Sequence, residues 1–335
     1  MATICNLPDV DIYLLYYLDI NSIMELAIIT KSQYTLIMNL KFMQELYLLK
    51  RRDIHKANII DYASGYNYIS LIQWMHDSIN DFKYEYAIYY ASKNEHIGVL
   101  TWFANSGLEF KYTSASINGA ARKGKIKTLE WFDKSGYEFK YGAIAINNAS
   151  KNGYIDILEW FDKSKYEFIY DANAIDEASE NGHISVLEWF SKSGYEFKYT
   201  YHAINWASRY GHISVLDWFD KSEYKFKYTS GAIRGASVNG YVNVLEWFSK
   251  SRHKFKHTEY AINYASMNGH VNILEWFENS GLEFKYTSQA IDLAAKNNHI
   301  AVLEWFINSN YEFKYSKEYR YGKVAQSWFQ NNIRM

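Results

Sequence analysis

Tryptophan keeps time along this chain. Trp102, Trp131, Trp160, Trp189, Trp218, Trp247, Trp276 and Trp305 stand 29 residues apart without exception, and Trp74 precedes them by 28. A period between about 20 and 50 residues outranks every local signal, because it means one supersecondary unit copied many times. Such a unit cannot bury its apolar face alone and must stack on its neighbours, so the chain is expected to form an array of repeats around a continuous core.

One repeat can be read from "AIDEASENGHISVLEWFSKSGYEFKYT", residues 174–200. "AIDEASENG" predicts a short helix with small residues at Ala174, Ala178 and Ser179, stopped by Gly182. "HISVLEWFSKSG" predicts a second helix, with Ile184, Leu187 and Trp189 or Phe190 inward and another glycine stop. "YEFKY" alternates, placing Tyr195, Phe197 and Tyr199 on one face and Glu196 and Lys198 on the other, which predicts an extended piece. Helices of about 8–10 residues do not persist alone in water, so each must pack on its neighbours. Eight good copies begin at Ala87, Ser116, Ala145, Ala174, Ala203, Ala232, Ala261 and Ala290. A degenerate copy, "IIDYASGYNYISLIQWM", precedes them, and after Tyr315 the pattern decays into "KEYRYGKVAQSWFQNN", as a polar closing cap would. The domain reading is therefore 1–50, a separate helical segment; 57–316, the array; and 317–335, the cap.

Composition narrows the class. Hydrophobic residues make up 48% and charged residues 22%, enough apolar matter for a core. The balance of 36 basic and 37 acidic residues gives no electrostatic reason to expect nucleic acid or an anionic membrane as partner. Cys5 is the sole cysteine, so no internal disulfide is possible and a reducing, cytoplasmic setting is expected. The N-terminus lacks a basic n-region with a clean apolar stretch, and no run reaches the roughly 18–20 apolar residues of a membrane helix.

The repeat resembles the ankyrin repeat. The resemblance is carried by A-I-x-x-A-[SA]-x-N-G-H-[IV]-x-[VI]-L-E-W-F-x-x-S-G, seen at 203–223 and 261–281, and covers about four-fifths of the chain. The usual ankyrin unit has 33 residues; here four are missing after the second helix, and Ala-Ile replaces the Thr-Pro-Leu-His opening. The resemblance implies an all-α, ankyrin-like solenoid of helix pairs with clipped loops in place of long β-hairpins. It also implies a protein target held on the concave face. Similar shortened, Trp-containing arrays occur in large DNA viruses of amoebae, which would place the protein in a host cytoplasm.

Several regularities invite chemistry and have plainer explanations. The Trp ladder is read as core between repeats, because a binding surface varies from copy to copy and this does not. His96, His183, His212, His270 and His299 share one register, but neighbouring helices lie roughly 8–10 Å apart and metal ligands must converge within about 2 Å, so these histidines are expected to tie successive loops together. The Glu109, Glu138, Glu167, Glu196 and Lys111, Lys140, Lys198, Lys227 ladders read as a solvated face. No nucleophile–base pair, phosphate loop, HExxH or CxxC stands in the chain, so neither an enzyme nor a cofactor is expected.

What varies between copies is more telling. Two positions after the first Ala of the Ala-Ser pair stand Lys93, Arg122, Lys151, Glu180, Arg209, Val238, Met267 and Lys296. On an ankyrin-like helix this register faces the concave side. Trp206 is the one tryptophan inside the array that is out of step, in a first helix where other copies carry Tyr90, Gly119, Asn148, Glu177, Gly235, Tyr264 and Leu293. Aromatic and Arg side chains are the common anchors of protein interfaces. Tyr201, His202, Trp206, Arg209, Tyr210, Arg234, Tyr260 and Tyr264 are accordingly the expected partner-binding strip; the competing reading is one repeat repacked around Trp206.

The first fifty residues do not follow the repeat. Leu7-Pro8-Asp9, an apolar helix ending "YYLD", then "SIMELAIITKSQYTLI" and "KFMQELY" resemble an F-box motif, with Met43 where tryptophan is frequent. That resemblance implies that Leu7, Pro8, Ile12, Leu15 and Leu18 dock on the Skp-type linker of a cullin–RING ubiquitin ligase, making the protein a non-catalytic substrate receptor. The alternative is a stand-alone scaffold or assembly component whose N-terminal helices only cap the array.

Overall fold

The computed structural model describes residues 59–78, 84–316 and 321–333; the segment carrying Leu7, Pro8, Ile12, Leu15 and Leu18 lies outside them. Among the described residues every regular element is a helix, and the helices come in pairs. The chain divides into two compact units, Met1–Ala145 and Ile146–Met335. The first contains α1 (Ile59–Gly65), α2 (Ile69–Ser78), α3 (Ala87–Lys93), α4 (Ile97–Asn105), α5 (Ser114–Arg122) and α6 (Ile126–Lys134). The second opens within α7 (Ala143–Lys151) and continues through α8 (Ile155–Lys163), α9 (Asn173–Glu180), α10 (Ile184–Lys192), α11 (His202–Arg209), α12 (Ile213–Lys221) and α13 (Gly231–Val238). It closes with α14 (Val242–Lys250), α15 (Glu259–Met267), α16 (Val271–Asn279), α17 (Gln289–Lys296), α18 (Ile300–Asn308) and α19 (Lys323–Asn332). Within each unit, first helices pack on first helices and second helices on second helices, an all-α solenoid of helix pairs.

The two helix types bury different side chains. First helices touch through small residues, such as Ala174, Ala178 and Ser179 of α9, all fully buried, which lets backbones approach closely. Second helices supply the bulk: Val186, Leu187 and Phe190 of α10 are buried, and their counterparts recur in α12, α14, α16 and α18. Of the residues expected inward, Ile184, Leu187 and Trp189 or Phe190, Leu187 and Phe190 are core, whereas Ile184 and Trp189 are only half-buried. Burying a phenylalanine ring such as that of Phe190 contributes about 1.5–3 kcal/mol.

Two turns define each repeat. After the first helix, Gly182 adopts φ of 73° and His183 N–H donates to the Ala178 carbonyl at 2.9 Å, a left-handed helix stop that satisfies the terminal carbonyls. The histidine ring of the following repeat lies on this glycine: a Cβ built at Gly182 would sit 2.8 Å from His212 Nδ1. In the same register His270 Nε2 meets the Val238 carbonyl at 3.0 Å and His96 Nε2 meets the Gly65 carbonyl at 2.9 Å, so these histidines tie loop to loop. After the second helix, Ser193 Oγ donates to the Phe190 carbonyl and accepts from Tyr195 N–H. Where glycine follows this serine, as at Gly194 (φ 82°), the serine is helical; where Lys165, Glu223 or Arg252 follows, the serine itself turns extended, with ψ of 169°, 167° and 165°. Either way the serine keeps the same two bonds, as Ser164 does with the Phe161 carbonyl and Tyr166 N–H.

The connecting segment is not a plain extended strand. Lys198 N–H donates back to the Glu196 carbonyl at 2.9 Å, a tight three-residue turn centred on Phe197, and the same bond recurs at Lys111, Lys140, Lys285 and Lys314. The turn aims each aromatic ring at a neighbour. Phe168 stacks on Tyr195 at 4.3 Å and on Trp189 at 5.4 Å, while Trp189 meets Phe190 edge-on. The aromatic residues therefore join successive repeats, as expected, but the indoles do so from a half-exposed position. Their N–H groups are used at the rim: Trp247 donates to Asp217 and Trp131 to Thr101. The lysine ladder is also more than a solvated face, because Lys227 and Lys256 rest 4.0 Å from the ring centres of Tyr199 and Tyr228 in the preceding repeats. The Glu partners, by contrast, stay in water, as Glu109 does beside Lys111.

At the C-terminal end, α19 reuses the joint with a polar exterior. Trp328 stacks on Phe313 and buried Phe329 meets Tyr315 and Tyr321. Asn298 Oδ1 accepts the N–H groups of Val324 and Ala325, satisfying donors that open the helix. No helix among the described residues is long and apolar enough to cross a membrane.

Candidate functional site

The site begins with a structural device repeated along the second unit. On five of the six first helices of this unit a buried Asn or Asp reaches 24 residues ahead, in four of them to a residue just before the next first helix. Asn205 Nδ2 donates to Thr229 Oγ1 at 2.8 Å, and Thr229 N–H donates to Asn205 Oδ1 at 3.1 Å. Asn263 and Thr287 repeat this pair of bonds, Asp176 holds Thr200, Asp292 holds Ser316, and Asn147 holds Asp171. The clasped residue, one position before the helix cap, also satisfies a donor of the first turn: Thr229 Oγ1 accepts Gly231 N–H at 3.0 Å. Burial pushes the Asp176 carboxyl above the usual carboxylate range, against the opposing pull of its bonds from Thr200.

One first helix of this unit abandons the device. In α13, "GAIRGASV", Arg234 stands in the Asn/Asp register, and Thr258, the residue it would have clasped, makes no side-chain cap bond. The side chain of Arg234 is exposed. The same helix carries glycine at 231 and 235, where the neighbouring helices carry rings: His202 and Trp206 in α11, Tyr260 and Tyr264 in α15. Gly235 also permits a close approach, since a Cβ there would meet Arg209 Cβ at 2.8 Å and its Cα at 3.1 Å.

These departures open a groove of about 680 Å³ over α13. One wall is the His202 imidazole stacked on the Trp206 indole, with ring centres 4.3 Å apart; Tyr201 leans on His202 at the same distance. The other wall is Tyr264, backed by Tyr260 at 5.6 Å. Val238 and Met267 are its apolar aliphatic lining, and Arg209 and Arg234 are its cationic residues, while no Asp or Glu lines the groove.

Of the eight residues expected in the strip, Tyr201, His202, Trp206, Arg209, Arg234 and Tyr264 line this groove. Tyr210 and Tyr260 flank it, Tyr210 with the Arg209 guanidinium 5.8 Å from its ring centre. Tyr201, Tyr210 and Tyr260 are 45%, 43% and 41% exposed, too open to serve as core. Sequence reasoning missed the floor, Gly231 and Gly235, and the aliphatic lining. The floor was visible as "GAIRG" once the copies were laid side by side, but a glycine pair declares a notch only when its neighbours' side chains are known to rise beside it. Among the described residues no three His, Cys, Asp or Glu side chains gather to hold a metal ion. Compared with protein-family models and with curated proteins, the chain matches none.

Proposed function

We propose that the protein is a non-catalytic interaction protein that holds a target protein in the groove over α13. The observation that supports this most is the loss, at that helix, of a clasp kept at every other first helix of the unit. An exposed cation beside an aromatic-walled notch stands where the other first helices of the unit carry a residue that clasps the array, and natural proteins give up local stability chiefly at functional surfaces. In this reading the array is of ankyrin-like kind, and the F-box-like residues Leu7, Pro8, Ile12, Leu15 and Leu18 couple the captured target to a cullin–RING ligase in the cytoplasm, a host cytoplasm if the chain is viral.

Two experiments test the two halves. Trp206→Ala combined with Arg209→Ala should weaken target capture while thermal unfolding stays nearly unchanged; a large fall in melting temperature would mark Trp206 as core instead. Pull-down with the Skp-type linker should recover the wild type and not the Leu7→Asp, Leu15→Asp variant. No binding, or binding indifferent to those changes, removes the ligase reading and leaves a stand-alone scaffold.

A further inference from the structure

The groove has a chemistry of its own, and we infer that it takes an acidic segment of a partner protein with one aromatic side chain between carboxylates, the ring entering the notch over Gly231 and Gly235 and the carboxylates meeting Arg209 and Arg234. This rests on the interaction reading above and narrows it to a ligand class.

Three observations carry the inference. The first is shape. α11 and α15 are two steps apart in the array, about 16–20 Å between axes, and α13 between them presents no side chain at 231 or 235. The opening is thus bounded by His202 and Trp206 on one side and by Tyr264 on the other; Gly231 and Gly235 lie between them, with the Asn205 amide and the Arg209 stem packed against them. A planar side chain inserted there meets ring faces or edges on two sides, the arrangement in which aromatic groups gain most beyond simple burial. The second is charge. Two arginines and no Asp or Glu line the groove, in a protein whose formal net charge is −1. Arginine offers paired N–H donors matched to a carboxylate, so the complementary ligand is anionic. The third is the origin of the cation. Arg234 stands where Asn or Asp stands in all other first helices of the unit, and its presence costs the clasp to Thr258.

A single nucleic-acid strand also combines rings with negative charge, but the groove fits it less well. Strand-binding surfaces stack successive bases on a line of aromatic faces and neutralise a run of phosphates. Here there is one notch, and the first helix on the α11 side carries Glu177 and Glu180.

The test uses the full chain and short fluorescent peptides followed by anisotropy. A peptide with one Trp between glutamates should bind, weakening with added salt. Glutamine in place of the glutamates, or alanine in place of the Trp, should weaken it about tenfold or more. Arg234→Asn should weaken it to the same extent while the melting temperature holds or rises, because an asparagine at 234 restores the clasp; Arg209→Gln, at an exposed side chain, should weaken it without any clasp to regain. Equal binding of charged and neutral peptides, binding indifferent to both substitutions, or displacement by oligothymidylate in preference to the peptide overturns the inference. A photo-crosslinking benzoylphenylalanine at position 260 separates this failure from that of the broader reading. A crosslinked partner segment that is basic or lacks an aromatic residue overturns the ligand class and leaves the interaction reading standing; no protein crosslink overturns both.

Discussion

Asp176 and Asn205 occupy the same register and make the same two contacts with a threonine, yet they differ in what burial does to them. Burial raises the Asp176 carboxyl above its usual range, so folding favours its protonated form. The site therefore contributes its full stability below about pH 4, the unfolded value, and loses it as pH rises through the folded value. Asp176→Asn should keep both bonds to Thr200 and remove the penalty of a buried charge. Its denaturation midpoint should exceed the wild type's at pH 7 and lose that advantage below pH 4. A variant less stable at pH 7 but not below pH 4 would show that the ionised carboxylate is the better partner. A second contrast belongs to the glycines. Gly182 has positive φ and the His212 ring 2.8 Å from where a Cβ would go, whereas Gly194 has positive φ and open space around it. Gly182→Ala should cost upwards of about 1–3 kcal/mol, the backbone strain alone. Gly194→Ala should cost much less, because the preceding serine can turn extended as Ser164, Ser222 and Ser251 already do. Equal losses in chemical denaturation would refute the distinction.

At the scale of the helix and its connection, the clasp and the first-turn bond are one threonine's work, and that makes their value measurable. Thr229→Val removes the acceptor of both Asn205 Nδ2 and Gly231 N–H and leaves a buried amide short of a partner. It should cost about 1–3 kcal/mol. Thr258→Val, at the joint where Arg234 has given up the clasp and no cap bond forms, should be nearly neutral in the same denaturation assay. A loss at Thr258 matching that at Thr229 would mean that the clasp carries little. The helices themselves were legible in the sequence, since a 29-residue period, small residues in one helix and Leu-Glu-Trp-Phe in the next leave few alternatives. The histidine ties were legible for the same reason, register without convergence. The connecting segment was not. Alternation in "YEFKY" describes which residues share a face, but a backbone bond from Lys198 to Glu196 bends the segment, and no side-chain pattern announces it. Nor could periodicity choose between Trp189 and Phe190 as the core ring, because adjacent residues on a helix differ by about 100° and both lie near the apolar face. The groove was half legible: its walls vary from copy to copy and drew attention, while its floor is made of what is missing.

Over many repeats, stability becomes a matter of neighbours. Each repeat of the second unit touches the one before and the one after, so a lesion spreads only as far as the joints it weakens. Phe219 and Phe329 occupy the same place in their helices, one in the interior of that unit and one in its last helix, and both are buried. Replacing either with alanine removes about 3–5 kcal/mol of packing. The consequences should differ in place. Phe329→Ala loosens α19, whose rings rest on Phe313, Tyr315 and Tyr321, and should raise amide hydrogen exchange in α17 through α19 while leaving α11 through α15 protected. Because the groove is built on α11, α13 and α15, this variant should still bind the acidic aromatic peptide. Phe219→Ala undermines α12, which pairs with α11, and should raise exchange on both sides of the lesion and cost peptide binding without touching a groove residue. Uniform exchange along the whole unit after Phe329→Ala would mean that the repeats unfold as a single cooperative block. The groove could then not be treated as a local feature of three helices, and its stability would have to be measured as that of the unit.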